Sequence, residues 1–160
     1  MSFTISPKSP TPITKLIVAG GRGFSDKVLM RDTLSILYKD GIIDTDTELV
    51  CGMAKGADIM AYDMFKAAGL KYIEFPADWK DMSEPCIPKR NKFGMYNANA
   101  GMKRNHAMGD YADGLLLFWD FSSTGSKDML TYMKWKDRPI YVVRYGIQFM
   151  APQPTLDDLL

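Results

Sequence analysis

The sequence predicts an α/β fold: an open, mostly parallel sheet with helices on both faces. Three observations predict it. Short apolar runs alternate with stretches of helical periodicity along most of the chain. The runs are apolar at nearly every position, the mark of strands buried on both faces. Several of them run straight into a glycine-rich turn that opens a helix, as crossover connections between parallel strands require.

The elements follow in order. Leu16-Ile17-Val18-Ala19 is a strand stopped by Gly20-Gly21. Asp26 sits where a helix cap belongs, and Val28, Leu29, Thr33, Ile36 and Leu37 follow at helical spacing until Gly41. Glu48-Leu49-Val50-Cys51 is a second strand. Ala57, Met60, Ala61, Met64, Phe65 and Ala68 then keep a strict three/four spacing that stops at Gly69, the cleanest amphipathic helix in the chain. Residues 71–75 alternate polar and apolar as a third strand, ended by Pro76. Residues 78–97 show no period and read as a long loop or insertion. A helix over 98–111, the apolar strand Leu115-Leu116-Leu117-Phe118-Trp119, a helix over 123–135 and a last strand over 139–143 complete the alternation.

At 160 residues the chain suits one domain. The expected division is a flexible tail over 1–13, a domain over 14–145 with an insertion at 80–99, and an arm over 146–160 that carries Pro152, Pro154 and Leu156-Asp157-Asp158-Leu159-Leu160. Hydrophobic residues at 46% and charged residues at 24% exclude a disordered chain. Two cysteines, Cys51 and Cys86, and the single histidine, His106, supply neither a disulfide framework nor a multi-histidine metal centre, so no metal and no cofactor is expected. No apolar run approaches the ~20 residues of a membrane helix, and the first residues lack a signal peptide's apolar middle. A cytoplasmic protein with reduced thiols is expected. The net charge is +1, yet six cations and two acids between Lys80 and Arg104 make that segment +4 and the remainder −3. A local cationic segment suits a small anionic ligand better than a nucleic-acid polymer.

Three strand-to-helix turns belong on one sheet edge, where ligands of such sheets bind. They are Gly20-Gly21-Arg22-Gly23-Phe24-Ser25-Asp26, Gly52-Met53-Ala54-Lys55-Gly56-Ala57-Asp58 and Asp120-Phe121-Ser122-Ser123-Thr124-Gly125-Ser126. Glycine lets backbone N–H groups approach an anion, and each following helix start adds unpaired N–H groups and a positive dipole end. Arg22 and Lys55 add charge. A glycine after a strand also serves simply as a tight turn; three equivalent turns, two with a cation, favour an anion site. Gly56 is followed by Ala57-Asp58, so the Gly-Lys-Ser/Thr phosphate loop is absent; Ser25 breaks Gly-x-Gly-x-x-Gly. Arg104 and Asn105, at the start of a helix, pair a planar fork with an amide fit for phosphate or sugar. Trp79 leaves a strand at the same edge and is the better base-stacking candidate, with Trp119 read mainly as core. His106 reads as a helix residue near the site and Cys51 as an inert core thiol.

The order GGRGFSD (20–26), CGMAKGAD (51–58), PADW (76–79), AGMKRNHAMGDYAD (100–113), LLLFWD (115–120) and SSTGS (122–126) resembles the YspA/cpYpsA-related branch of the SLOG superfamily. The resemblance spans about 16–143. It implies a Rossmann-like domain that binds nucleotides or nucleotide-derived signals such as ADP-ribose, that self-associates, and whose relatives are often encoded by bacterial viruses. With the turns read above, the expected ligand site has Gly20, Gly21 and Arg22 on one wall, Gly52, Lys55, Gly56 and Asp58 on a second, Ser123, Thr124, Gly125 and Ser126 as a phosphate cradle, with Trp79, Arg104 and Asn105. The related LOG enzymes cleave the N-glycosidic bond of nucleoside 5′-monophosphates, using an Arg in Arg-Lys-x-x-Met and a Glu in Pro-Gly-Gly-x-Gly-Thr-x-x-Glu. Arg104-Asn105-His106-Ala107-Met108 matches the first with Asn105 in place of Lys. The second is degraded: Met129 stands where the Glu belongs, and Asp128 lies one place earlier, about 100° round a helix. Asp120, Asp128 or Asp26 is left to supply a carboxylate beside an oxocarbenium-like sugar. Arg104 and Asp128 are the catalytic candidates on that reading.

The expected function is therefore binding of a phosphate-bearing, nucleotide-derived ligand as a sensor or sequestering protein. The alternatives are a LOG-like nucleoside-monophosphate N-glycosidase and single-strand nucleic-acid binding as in DprA-like relatives. In the 80–99 insertion, Arg90, Lys92 and Phe93 fit either a lid over the bound base or, equally, an oligomer contact or a plain surface loop.

Overall fold

The computed structural model describes residues 2–4 and 12–146. Its elements in chain order are β1 (Ser2–Thr4), β2 (Lys15–Gly20), α1 (Lys27–Lys39), β3 (Glu48–Cys51), α2 (Ala57–Ala67), β4 (Tyr72–Glu74), β5 (Pro88–Asn91), β6 (Gly94–Asn97), α3 (Ala100–Tyr111), β7 (Gly114–Trp119), α4 (Thr124–Trp135) and β8 (Ile140–Arg144). A six-stranded sheet has the order β1-β8-β7-β2-β3-β4. Every pairing in it is parallel except β1 with β8, where Phe3 lies opposite Val142. The α/β, Rossmann-like expectation is therefore the observed fold.

Alternation along the inner strands divides the core. Leu16 and Val18, Leu49 and Cys51, Leu116 and Phe118, and Tyr141 and Val143 face α1 and α2 with Met30, Leu37, Ala61 and Phe65. Ile17, Val50, Leu115, Leu117, Ile140 and Val142 face the other way, toward Met108 of α3 and Met129 and Met133 of α4. Both faces are covered, which is why these strands read as unbroken apolar runs. Asp26 caps α1 by accepting from Leu29 N at 2.9 Å, and Ser123 caps α4 by accepting from Ser126 N at 3.4 Å. Gly56 caps α2 at φ +89°; a Cβ there would stand 2.3 Å from the Gly21 carbonyl oxygen, so only glycine fits.

The β2–α1–β3 and β3–α2–β4 units proceed toward one edge. The β4–α3–β7 connection crosses back over β2 to its other side. Chain direction across the sheet thus reverses between β2 and β7, and a crevice opens beyond their carboxyl ends.

Two regions differ from the reading of the sequence. Within 78–97, taken as a loop without period, β5 and β6 form a separate antiparallel hairpin with Arg90 opposite Met95. All four residues of β5 are polar or proline and exposed, and the buried end of β6 is the polar Asn97, so neither strand carries an apolar period to read. Of the expected tail, residues 2–4 pair as an edge strand and Ile13 is buried at 3% exposure; residues 1 and 5–11 lie outside the described residues. So does the expected arm apart from Gly146.

Candidate functional site

A cleft of about 570 Å³ occupies that crevice. The β2–α1 turn contributes Gly20, Gly21 and Arg22, the β3–α2 turn Ala54, and the start of α2 Asp58. From α3 come Gly101, Met102, Arg104, Asn105 and Met108. The β7–α4 turn supplies Asp120 and residues 122–126, and Trp79 stands at the side. Three strand-tip turns do converge on one cavity.

The β7–α4 turn is built around Asp120. Its Oδ1 accepts from the amides of Ser122 and Ser123 at 2.9 and 3.0 Å, and these bonds hold the carboxyl below its ordinary range. The next two amides, of Thr124 and Gly125, find no acceptor among the described residues. Beside them Ser126 Oγ is buried and has no hydrogen-bond partner. Two helix-start N–H groups and an unsatisfied hydroxyl therefore meet at the cleft, where the α4 dipole is positive. Donors grouped in this way are of the chemical type that suits an anion with several oxygens.

Arg104 is half-buried in the opposite wall. Its Nη1 donates to the Gly52 carbonyl and its Nε to Asn105 Oδ1 at 3.2 Å. Burial draws its pKa down from the ordinary guanidinium value. Asp58, 5% exposed, accepts from Ala54 N at 3.3 Å. Burial pushes its carboxyl up from 3.8 to about 6, against the attraction of Arg104 and Arg22. A carboxyl that titrates near neutrality, in contact with a cleft, is suited to hydrogen-bond a ligand in either protonation state.

Several expected residues stand elsewhere. Gly52 lies behind the wall as Arg104's acceptor. Lys55 and Gly56 line a different groove, between α1 and α2. Asn105 borders the cleft, but its Nδ2 already donates to Gly125 O and to Asp128 Oδ2, both at 3.2 Å. Asp128 does not line the cleft; its Oδ1 meets His106 Nε2 at 3.1 Å, so it braces α4 against α3. Trp79, 40% exposed, does border the cleft. Trp119 donates from Nε1 to Ser123 O at 3.2 Å and stacks on Phe121 at 4.5 Å, which supports the β7–α4 turn from outside. Cys51 Sγ accepts from Met53 N, and burial pushes its thiol up to about 12, which leaves it unreactive. None of Lys89, Arg90, Lys92 or Phe93 touches the cleft, so the hairpin is not folded over it as a lid.

The cleft also holds residues to which the sequence assigned no part in its lining. Met102, Met108 and Met129 form apolar surface; at helical spacing they look like any core stripe. The role of Asp120 as turn organiser was legible only as an Asp two residues before a Ser.

Residues 14–81 match the model of the YspA, cpYpsA-related SLOG family, a stretch that includes the first two glycine turns and Trp79 but neither Arg104 nor α4. Among solved structures, DNA processing protein A (DprA) from Streptococcus pneumoniae is similar in fold, with a TM-score of 0.58 and 19% identity. The alignment covers 88% of this chain and 52% of that one, so the chain spans about half the length of its structural neighbour. That neighbour is a DNA processing protein, and the likeness gives no support to the expectation against a nucleic-acid partner. No curated protein sequence matches the chain. Among the described residues, no helix is long and apolar enough to cross a membrane.

Proposed function

We propose, for a chain whose residues 14–81 match the model of the YspA, cpYpsA-related SLOG family, that the cleft binds a phosphate-bearing, nucleotide-derived small molecule. The observation that carries this reading is the buried, unpartnered Ser126 hydroxyl beside the two free amides at the start of α4. The phosphate sits there, the ribose and a further phosphate oxygen lie toward Arg104 and Arg22, and the base rests against Trp79. Asp58 hydrogen-bonds the ligand from the α2 wall. The protein holds this ligand as a sensor or sequestering protein in the cytoplasm, and it self-associates, which light scattering tests.

The test is titration with AMP, GMP and ADP-ribose, together with mass spectrometry of any small molecule that co-purifies. Binding that weakens at least tenfold in both Arg104→Ala and Ser126→Ala, and not in Lys55→Ala, supports the reading. Equal affinity in all four proteins overturns it.

A second reading has its own observation. Asp58 is a buried carboxyl that lines the cleft, while Met129 on α4 occupies the position where the glycosidase pattern has its Glu. A nucleoside-monophosphate N-glycosidase needs such a group; release of free base, abolished by Asp58→Asn, distinguishes it. The exposed cations of the β5–β6 hairpin point to single-strand nucleic acid instead if affinity falls steeply with salt.

A further inference from the structure

On the face of the sheet away from α3 and α4, α1 and α2 do not close on each other. A groove of about 1,210 Å³ runs between them, floored by Leu34, Met60, Met64, Phe65 and Leu70. Its rim carries Lys27, Arg31, Lys39 and Lys55 against Asp44 and Asp63. The surface is thus apolar within and cationic around, and Met60 and Met64 can repack to fit what enters. None of this belongs to the cleft just described.

The sequence contains a segment of matching chemistry. In 155–160, Leu156, Leu159 and Leu160 recur at i, i+3 and i+4, with Asp157 and Asp158 between them. In a helical turn such spacing would put three leucines on one side and two carboxylates on the other. No cation occurs after Arg144. The chain also leaves the sheet at the right place. Tyr145 packs its ring 5.0 Å from that of Phe24, and Phe24 is part of the groove's wall. Residues 155–160 follow Gly146 by nine to fourteen positions, a reach of roughly 30–46 Å when extended. The groove follows α1, whose 13 residues make about 20 Å.

We propose that the α1–α2 groove is the docking site of the chain's own residues 155–160, held by Leu156, Leu159 and Leu160 against Met60 and Met64 and by Asp157 and Asp158 against the rim cations. The docked segment covers the groove and braces the β3–α2 turn through Lys55 and Gly56.

The experiment uses the full chain with ¹³C-labelled methionine and leucine methyl groups. Methyl–methyl NOEs are expected from Met60 and Met64 to Leu156, Leu159 and Leu160, unchanged on tenfold dilution. The double variant Leu156→Asp/Leu159→Asp should lose them and shift the Met60 and Met64 signals. Met133, fully buried in the opposite core, should keep its position and so report an intact fold. The proposal is overturned if the native chain lacks these NOEs. It is equally overturned if they vanish on dilution, because the occupant is then a second copy. Neither result depends on a ligand in the cleft.

Discussion

The Arg104 guanidinium donates to the carbonyl of Gly52, tying α3 to the turn between β3 and α2 across the floor of the cleft. The glycine is required because a Cβ at position 52 would stand 2.7 Å from Asp58 Oδ2 and 3.1 Å from the Arg104 guanidinium. Sequence identifies Gly52 as a loop residue that approaches a ligand; the structure makes it the residue that leaves room for the two charged side chains that do.

Gly52→Ala should consequently weaken nucleotide affinity tenfold or more by displacing Arg104 and Asp58. Overpacking of this kind costs about 1–3 kcal/mol. Calorimetric titration beside a denaturant melt checks it. Unchanged affinity with lowered stability would show that the arginine's position is immaterial to binding.

Ser126→Ala should act in opposite directions on stability and binding. The buried hydroxyl lacks a partner in the free protein, so its removal stabilises the fold by up to about 1 kcal/mol, or roughly 2–4 °C in Tm. Phosphate-ligand affinity falls in the same variant. A lower Tm without ligand means that the hydroxyl is satisfied within the protein.

Asp58 sets a pH dependence. The unfolded carboxyl ionises near 3.8 and the folded one near 6, so the folded state binds the additional proton between those values. Stability contributed by this group is complete below about pH 4, is lost as pH rises through 6, and is lower by about 3 kcal/mol above 7. Asp58→Asn removes that loss. Urea unfolding without ligand at pH 4 and pH 7 should show the variant gaining on the native protein by about that amount. A difference independent of pH refutes it.

Asn97, fully buried, anchors the hairpin. Its Oδ1 accepts from Ile87 N and Asn99 N at 3.0 and 2.9 Å, and its Nδ2 donates to Asp81 O at 3.0 Å. Asn97→Ala should free residues 81–99 by about 1–3 kcal/mol while leaving the sheet intact. Amide exchange that accelerates in that segment and not in β7 is the expected result; a uniform rise across the chain refutes a local anchor.

The regular elements were legible because each has a period of its own. Leu115 to Phe118 read as a strand buried on both faces and are one, since both faces of an inner parallel strand meet helices. The hairpin was illegible for the converse reason: Lys89, Arg90 and Asn91 pair by backbone bonds and bury nothing. Of the candidate site, Gly20, Gly21, Arg22 and residues 123–126 were legible as turns at one sheet edge. Lys55 was misplaced because adjacent turn residues can face different ways: Ala54 lines the cleft and Lys55 the α1–α2 groove.

The sequence by itself determined the alternation of strand and helix, the three turns at the carboxyl edge and the cation-rich stretch, all of which depend on spacing along the chain. Tertiary structure alone decided that strand order reverses between β2 and β7. It also decided that Asp58 is buried beside Arg104 while Asp128 turns to His106, and that the Ser126 hydroxyl is left without a partner. These are relations between residues as many as 106 positions apart, from Gly20 to Ser126. Distance, burial and unsatisfied hydrogen bonding arise only when the elements pack.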